Sequence, residues 1–138
     1  MIIIMFVAGY LSNMNIFASS INHVRLHLND LYMVLLMTGW MVLLMTLTDY
    51  NHMHDSNTIL ITTIIFIAII LYLIRTQTFI DDKQFLNGMI PHHSQAILMA
   101  QKIKQKTKNP EIIKLADNII TSQYNEIQIM DNMLKNKM

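Results

Sequence analysis

The chain has 138 residues and a net charge of +1, with 53% hydrophobic and only 14% charged side chains, whereas an ordinary globular domain carries about a quarter charged residues. That is the composition of a membrane protein, and its near-neutral balance argues against a nucleic-acid partner. With no cysteine, a disulfide framework and a thiolate metal site are both excluded. Any soft ligand must be methionine, of which there are 13; AT-biased codons would explain abundant Ile, Asn and Lys but not an amino acid with a single codon.

The charges are segregated. Residues 1–74 contain Arg25, Asp30, Asp49 and Asp55 as their only fully ionised side chains, and the remainder lie in 75–138. Within the first part, residues 2–18 form an apolar stretch broken towards its end by Ser12, Asn13 and Asn15, read here as a first membrane span. A cleaved signal peptide is the competing reading, but it would need a basic start. Residues 31–48 and 58–74 are apolar runs of 18 and 17 residues, close to the roughly 20 needed to cross a hydrocarbon core. With three spans, the 19–30 connector and the C-terminal tail share one side. Arg25, Arg75 and Lys83 nominate that side as cytoplasmic by the positive-inside rule.

Residues 79–138 form a second region, separated from the membrane region 1–75 by a short junction, and the pattern there becomes that of amphipathic helices. Pro91 suits the first turn of a helix carrying Ala96, Ile97, Met99, Ala100 and Ile103, which ends in the lysine-rich segment 102–108. Asn109, Pro110 and Glu111 are the N-cap, first position and acidic first turn of another helix. Ile112, Ala116, Ile119, Gln123, Ile127, Met130 and Leu134 recur at steps of three and four, one buried stripe. The expectation is an all-α chain, membrane-spanning helices followed by a helical hairpin. Two helices alone bury too little to stand as a domain, so the hairpin is expected to pack on its twin in a homo-oligomer, on the 81–87 segment, or on both.

The chemistry concentrates at Met89-Ile90-Pro91-His92-His93. Met89 and His93 are four apart, and His92 and Met99 seven apart, so each pair projects to a common side of a helix. Thioethers and imidazoles together suit a thiophilic ion such as Cu(I) or Ag(I). The bland alternative has the histidines capping the hairpin and Met99 filling core. On the following helix Met130 falls on the apolar stripe, where packing is its default role. Gln123 on that stripe and Glu126 beside it are candidate hydrogen-bond acceptors for a ligand histidine, although for Glu126 taken alone a solvated helix-face charge is the default role. In the second span Met33, Met37, Met41 and Met45 make a ladder roughly 18 Å tall, a candidate thioether path with His52, Met53 and His54 just beyond it. Lipid-facing packing is the competing role. No zinc-protease, di-iron, phosphate-loop or nucleophile–base pattern is present, so a binding protein is expected, not an enzyme.

The segments Met89-Ile-Pro-His-His-Ser-Gln-Ala-Ile-Leu-Met99, Leu115-Ala-Asp-Asn-Ile-Ile120 and Gln123-Tyr-Asn-Glu-Ile127 with Met130 resemble the domain of unknown function 305 family, a bacterial group with a ferritin-like helical domain. The match covers about residues 79–134. Leu31-Tyr-Met-Val-Leu-Leu-Met37 and Arg75-Thr-Gln77 look like its membrane-anchored branch, in which a few more residues would precede the first apolar stretch. The resemblance implies Cu(I) or silver handling with Met89, His92, His93, Met99 and Met130 as ligands, and Gln123 and Glu126 as motif positions. Its exported members bind metal outside the cytoplasm, opposite to the side that the charges nominate. The expected protein lies in a bacterial inner membrane among lipid and binds Cu(I) for buffering, resistance or hand-off to a copper-handling partner protein. The rivals are a metal-free assembly module with a Met-rich core and a copper conduit through the ladder.

Overall fold

A computed structural model of the chain describes residues 2–50 and 55–137, the side chains of Met14 and Lys137 excepted. Among the described residues it is all-α: α1 (Ile2–Leu11), two short 3-10 turns (Met14–Phe17 and Ile21–His23), α2 (Leu28–Thr48), α3 (Ser56–Thr76), α4 (Asp82–Lys106) and α5 (Pro110–Lys137). The chain divides into two compact units, residues 1–13 with 28–79 and residues 14–27 with 80–138.

In the first unit α2 and α3 are each 21 residues long and apolar enough to cross a membrane, as the two longer runs predict. They pack through small residues: a Cβ on Gly39 would lie 2.9 Å from Ile67 Cγ1, so a glycine is what permits the close approach. Buried hydroxyls on α2 are satisfied within the helix, Thr38 donating to the Val34 carbonyl at 2.8 Å and Thr46 to the Val42 carbonyl at 2.9 Å. The outer surface of the pair is apolar, with Met33, Leu44, Ile61, Ile65 and Ile69 all more than half exposed.

The first expected span is shorter than its apolar stretch. α1 ends at Leu11, about 15 Å along the axis against a hydrocarbon core of about 30 Å. Polar side chains stop it, for Asn13 donates to Asp30 at 3.3 Å and Asn15 exchanges hydrogen bonds with the Arg25 backbone at 2.8 and 3.0 Å. Amides that bond locally compete with the helix ladder.

At the far end of α3 the amide N–H groups of Gln77 and Thr78 reach back to Ile74 and Leu73. Gln77 and Phe79 take left-handed backbone angles, φ 50° and 62°. The chain thus leaves one helix and enters the next in a few residues.

In the second unit α4 and α5 form the expected antiparallel hairpin, with a core of Leu86, Ile90, Ile97, Ile127 and Met130. α5 starts as its sequence predicts, with the Asn109 side chain accepting from Glu111 N–H at 2.9 Å. α4 does not. It begins at Asp82, capped by the Asp81 carboxylate accepting from Gln84 N–H at 2.7 Å, so Pro91 lies inside the helix and not in its first turn. Pro91 removes the N–H that would have met the Asn87 carbonyl. Its burial, with Ile90 and Ser94 also buried beside it, places it where packing offsets that loss.

The connector, residues 14–27, groups with this second unit and not with the apolar helices that flank it in sequence. His27 lies over Gly88, whose absent Cβ would stand 3.4 Å from the His27 Nδ1, and Arg25 pairs with Asp131 at 3.2 Å. The connector and the hairpin therefore belong to one compact body.

Candidate metal centre

Met89 and His93 sit one turn apart on α4, and Glu126 and Met130 one turn apart on α5. Because the helices are antiparallel, the two pairs meet in the hairpin seam. Met89 packs against the core cluster that contains Met130, and Met130 itself is buried at 7% exposure. His93 Nδ1 lies 3.4 Å from Glu126 Oε2, with the histidine side chain 13% exposed and the glutamate 49%. That nitrogen is buried and has no hydrogen-bond partner. Burial lowers the His93 pKa below its ordinary value, Glu126 opposing the shift and His92 adding to it. The imidazole is therefore neutral at neutral pH, the form that binds metal.

The other expected ligands lie elsewhere. His92 is exposed, its ring centre 6.1 Å from that of His93 and tilted by 58°, as the 100° step between neighbours on a helix demands. Met99 is 62% exposed and lines a separate groove near the hairpin turn. Gln123 reaches Ser122 Oγ at 3.5 Å and not a histidine. Met33, Met37 and Met41 are 51%, 46% and 45% exposed, on the outer face of α2, with Met45 half-buried. His52, Met53 and His54 lie outside the described residues. Among the described residues no three His, Asp or Glu side chains gather as a metal-ligand group, so the candidate centre is one of thioethers and a single imidazole.

About 100° around α4 from His93 is an arrangement that sequence reasoning missed. Ser94 is fully buried. Its Oγ accepts from Ser19 N–H at 2.7 Å and lies 2.9 Å from both Ser19 Oγ and His23 Nδ1. Burial lowers the His23 pKa, Asp131 acting against the shift and Arg25 with it. Ser94 Oγ accepts from Ser19 N–H, and its own hydroxyl has both Ser19 Oγ and His23 Nδ1 within hydrogen-bond reach, so the buried oxygen is satisfied.

Two outcomes are expected. Ser94→Ala destabilises the connector's attachment by about 1–3 kcal/mol, because it strands buried donors, and hydrogen exchange over residues 14–27 measures the loss. A folded-state pKa below the unfolded value of 6.5 means that the unfolded state binds more protons. Stability from neutral His23 is then present above that pH and lost as pH falls through the lowered pKa. His23→Gln should flatten this dependence.

A signal for Ser94 was present. It stands four after Ile90 and three before Ile97, a hydroxyl on an apolar stripe, and such a group must find a partner. That the partner would come from the connector was not readable from spacing.

Comparison with known families matches residues 73–137 to Domain of unknown function (DUF305). An uncharacterized protein of Acanthamoeba polyphaga mimivirus is 58% identical over 134 residues, which is 97% of this chain and 88% of that protein. No solved structure matches. The viral relative gives no support to the bacterial membrane that the resemblance implied. The matched segment begins in the last turn of α3 and runs through α4 and α5, taking in Met89, His93, Glu126 and Met130, and the chain belongs to the DUF305 family.

Proposed function

We propose that the chain is an integral membrane protein whose hairpin binds Cu(I), with Ag(I) as its chemical equivalent, for buffering, resistance or hand-off to a copper-handling partner. The ion is cargo, not a catalytic cofactor, and no enzymatic step is assigned. The observation that carries this reading is the His93 nitrogen, buried without a hydrogen-bond partner, on the same side of α4 as Met89 and against the cluster holding Met130. Two thioethers and an imidazole are a soft donor set, suited to Cu(I) and poorly suited to Mg(II) or Ca(II). The proposal thus rests on Met89, His93 and Met130, with the Glu126 carboxylate facing the histidine. Anchoring in lipid is supported by α2 and α3, whose apolar windows are only 28% and 17% buried; the core helix of a soluble protein hides most of its surface.

A second reading, a metal-free assembly module, is favoured by the place of Met130 in an otherwise aliphatic core. Full-length protein in detergent, competed against Cu(I) chelators of graded strength, separates the two. Retention of copper against a moderately strong chelator is the expected result, and loss of all copper to the weakest one leaves the assembly reading.

A further inference from the structure

Among its described residues the hairpin leaves an apolar surface uncovered close to its turn. Near its turn, Ala96, Met99, Ala100 and Ile103 of α4 and Leu115 and Ile119 of α5 line a groove of about 440 Å³. Met99 is 62% exposed, Leu115 58%, Ile103 44% and Ile112 39%. Together they expose apolar surface on the order of 400 Å², the scale at which a patch marks an interaction site.

We infer that this groove is the contact between two copies of the chain, each α4 lying against α5 of the other copy, around a two-fold axis parallel to the helices. This inference stands apart from the metal reading.

Charge selects the pairing. Between residues 95 and 108 the chain carries Lys102, Lys104, Lys106 and Lys108 and no acid, whereas the start of α5 carries Glu111 and Asp117 against Lys114. Within the hairpin Lys104 already pairs with Asp117. An arrangement with α4 against α4 of the second copy would place lysine rows together. With α4 against α5 of the second copy, the basic-to-acidic match repeats on the second face, and all neighbouring helices are antiparallel as in a four-helix bundle.

The size of the patch also requires the rims. A stable interface buries about 800 Å² per partner, roughly twice what the apolar floor supplies, so the charged rows beside it must be part of the contact. The direction of the axis fits chain connectivity. It puts both α4 N-termini, each joined directly to Phe79 and α3, at one end of the bundle, as two copies anchored in the same membrane need.

The register of the hairpin gives the test. Lys104 beside Asp117 and His93 beside Glu126 set Ile103 level with Asp117, within one turn of Leu115. The chain has no cysteine, so single replacements report cleanly. Full-length Ile103→Cys and Leu115→Cys, carrying different tags and co-expressed, are treated in detergent with a short bismaleimide. The mixed pair should cross-link several times faster than Ile103→Cys with itself, and faster than an Asn125→Cys control outside the groove. Leu115→Glu, at an exposed position where folding is not at stake, should halve the protein mass in solution while helicity is unchanged. A monomeric wild-type mass, cross-linking no faster than the control, or a dominant Ile103→Cys self-pair would each overturn the inference. So would a monomer whose Ile103→Cys thiol is shielded from a water-soluble maleimide only by anionic vesicles, since that assigns the groove to a lipid surface.

Discussion

Replacing His93 by Ala together with Met89 by Leu is expected to weaken Cu(I) binding by the full-length protein at least about tenfold, or ~1.4 kcal/mol. His92→Ala should leave it nearly unchanged. The contrast is the point of the experiment, because the two histidines are neighbours in sequence and identical in chemistry, and only burial separates them. Met89→Leu keeps volume and apolarity while removing sulfur, so the seam stays packed and a lost ion is attributable to a lost donor. Chelator competition measures the change. Equal losses from the two histidine variants would show that the ion is not held in the seam. A dependence on pH accompanies the prediction: burial holds the His93 pKa below its ordinary 6.5, so binding should persist under mildly acidic conditions and fail only as pH drops through the lowered value, where the proton displaces the metal.

Ile97→Ala should cost about 2–5 kcal/mol of hairpin stability, the usual range for truncating a fully buried aliphatic side chain. Ile97 is 0% exposed and belongs to the cluster with Leu86, Ile90, Ile127 and Met130. Two helices and a connector have few such residues, so this loss is a large share of the roughly 5–15 kcal/mol that holds an ordinary domain folded. Met99→Ala, two positions away but 62% exposed in the single chain, should change stability by no more than about 0.5 kcal/mol when compared in the monomeric Leu115→Glu background, where no second copy covers the groove. Thermal melting followed by helix signal, with hydrogen exchange to locate the loss in α4 and α5, measures both. A similar cost at the two positions would mean that the groove is already filled in the isolated protein.

Periodicity made the hairpin and the two long apolar helices legible. The stripe through Ala116, Ile127 and Met130 is buried as its three- and four-residue steps require, and Asn109 caps α5 as its place before Pro110 suggests. Pro91 misled because proline is commonest in a first turn, while a caps-first reading would have noticed Asp81 three residues before Gln84. The site was legible as residue types but not as a set. Helical spacing paired Met89 with His93 and separated His92 from His93, yet it also paired His92 with Met99, and only the seam against α5 distinguishes the two faces. The attachment of Ser19 and His23 to Ser94 spans 75 and 71 residues of chain, a distance over which local pattern carries no information.

That long-range attachment has a consequence for how the protein can be made. The C-terminal half is a discontinuous body whose lid is synthesised first and whose base is synthesised last, with α2 and α3 in between. Closing so long a loop adds only about 0.6 kcal/mol for each doubling of its length, so thermodynamics tolerates the arrangement. Biogenesis is constrained more sharply: until Ser94 has left the ribosome, the 14–27 strip has nothing to dock on. A tail excised for ease of expression would come without its cover, exposing the flank of α4 that Ser19, His23 and His27 protect in the intact chain.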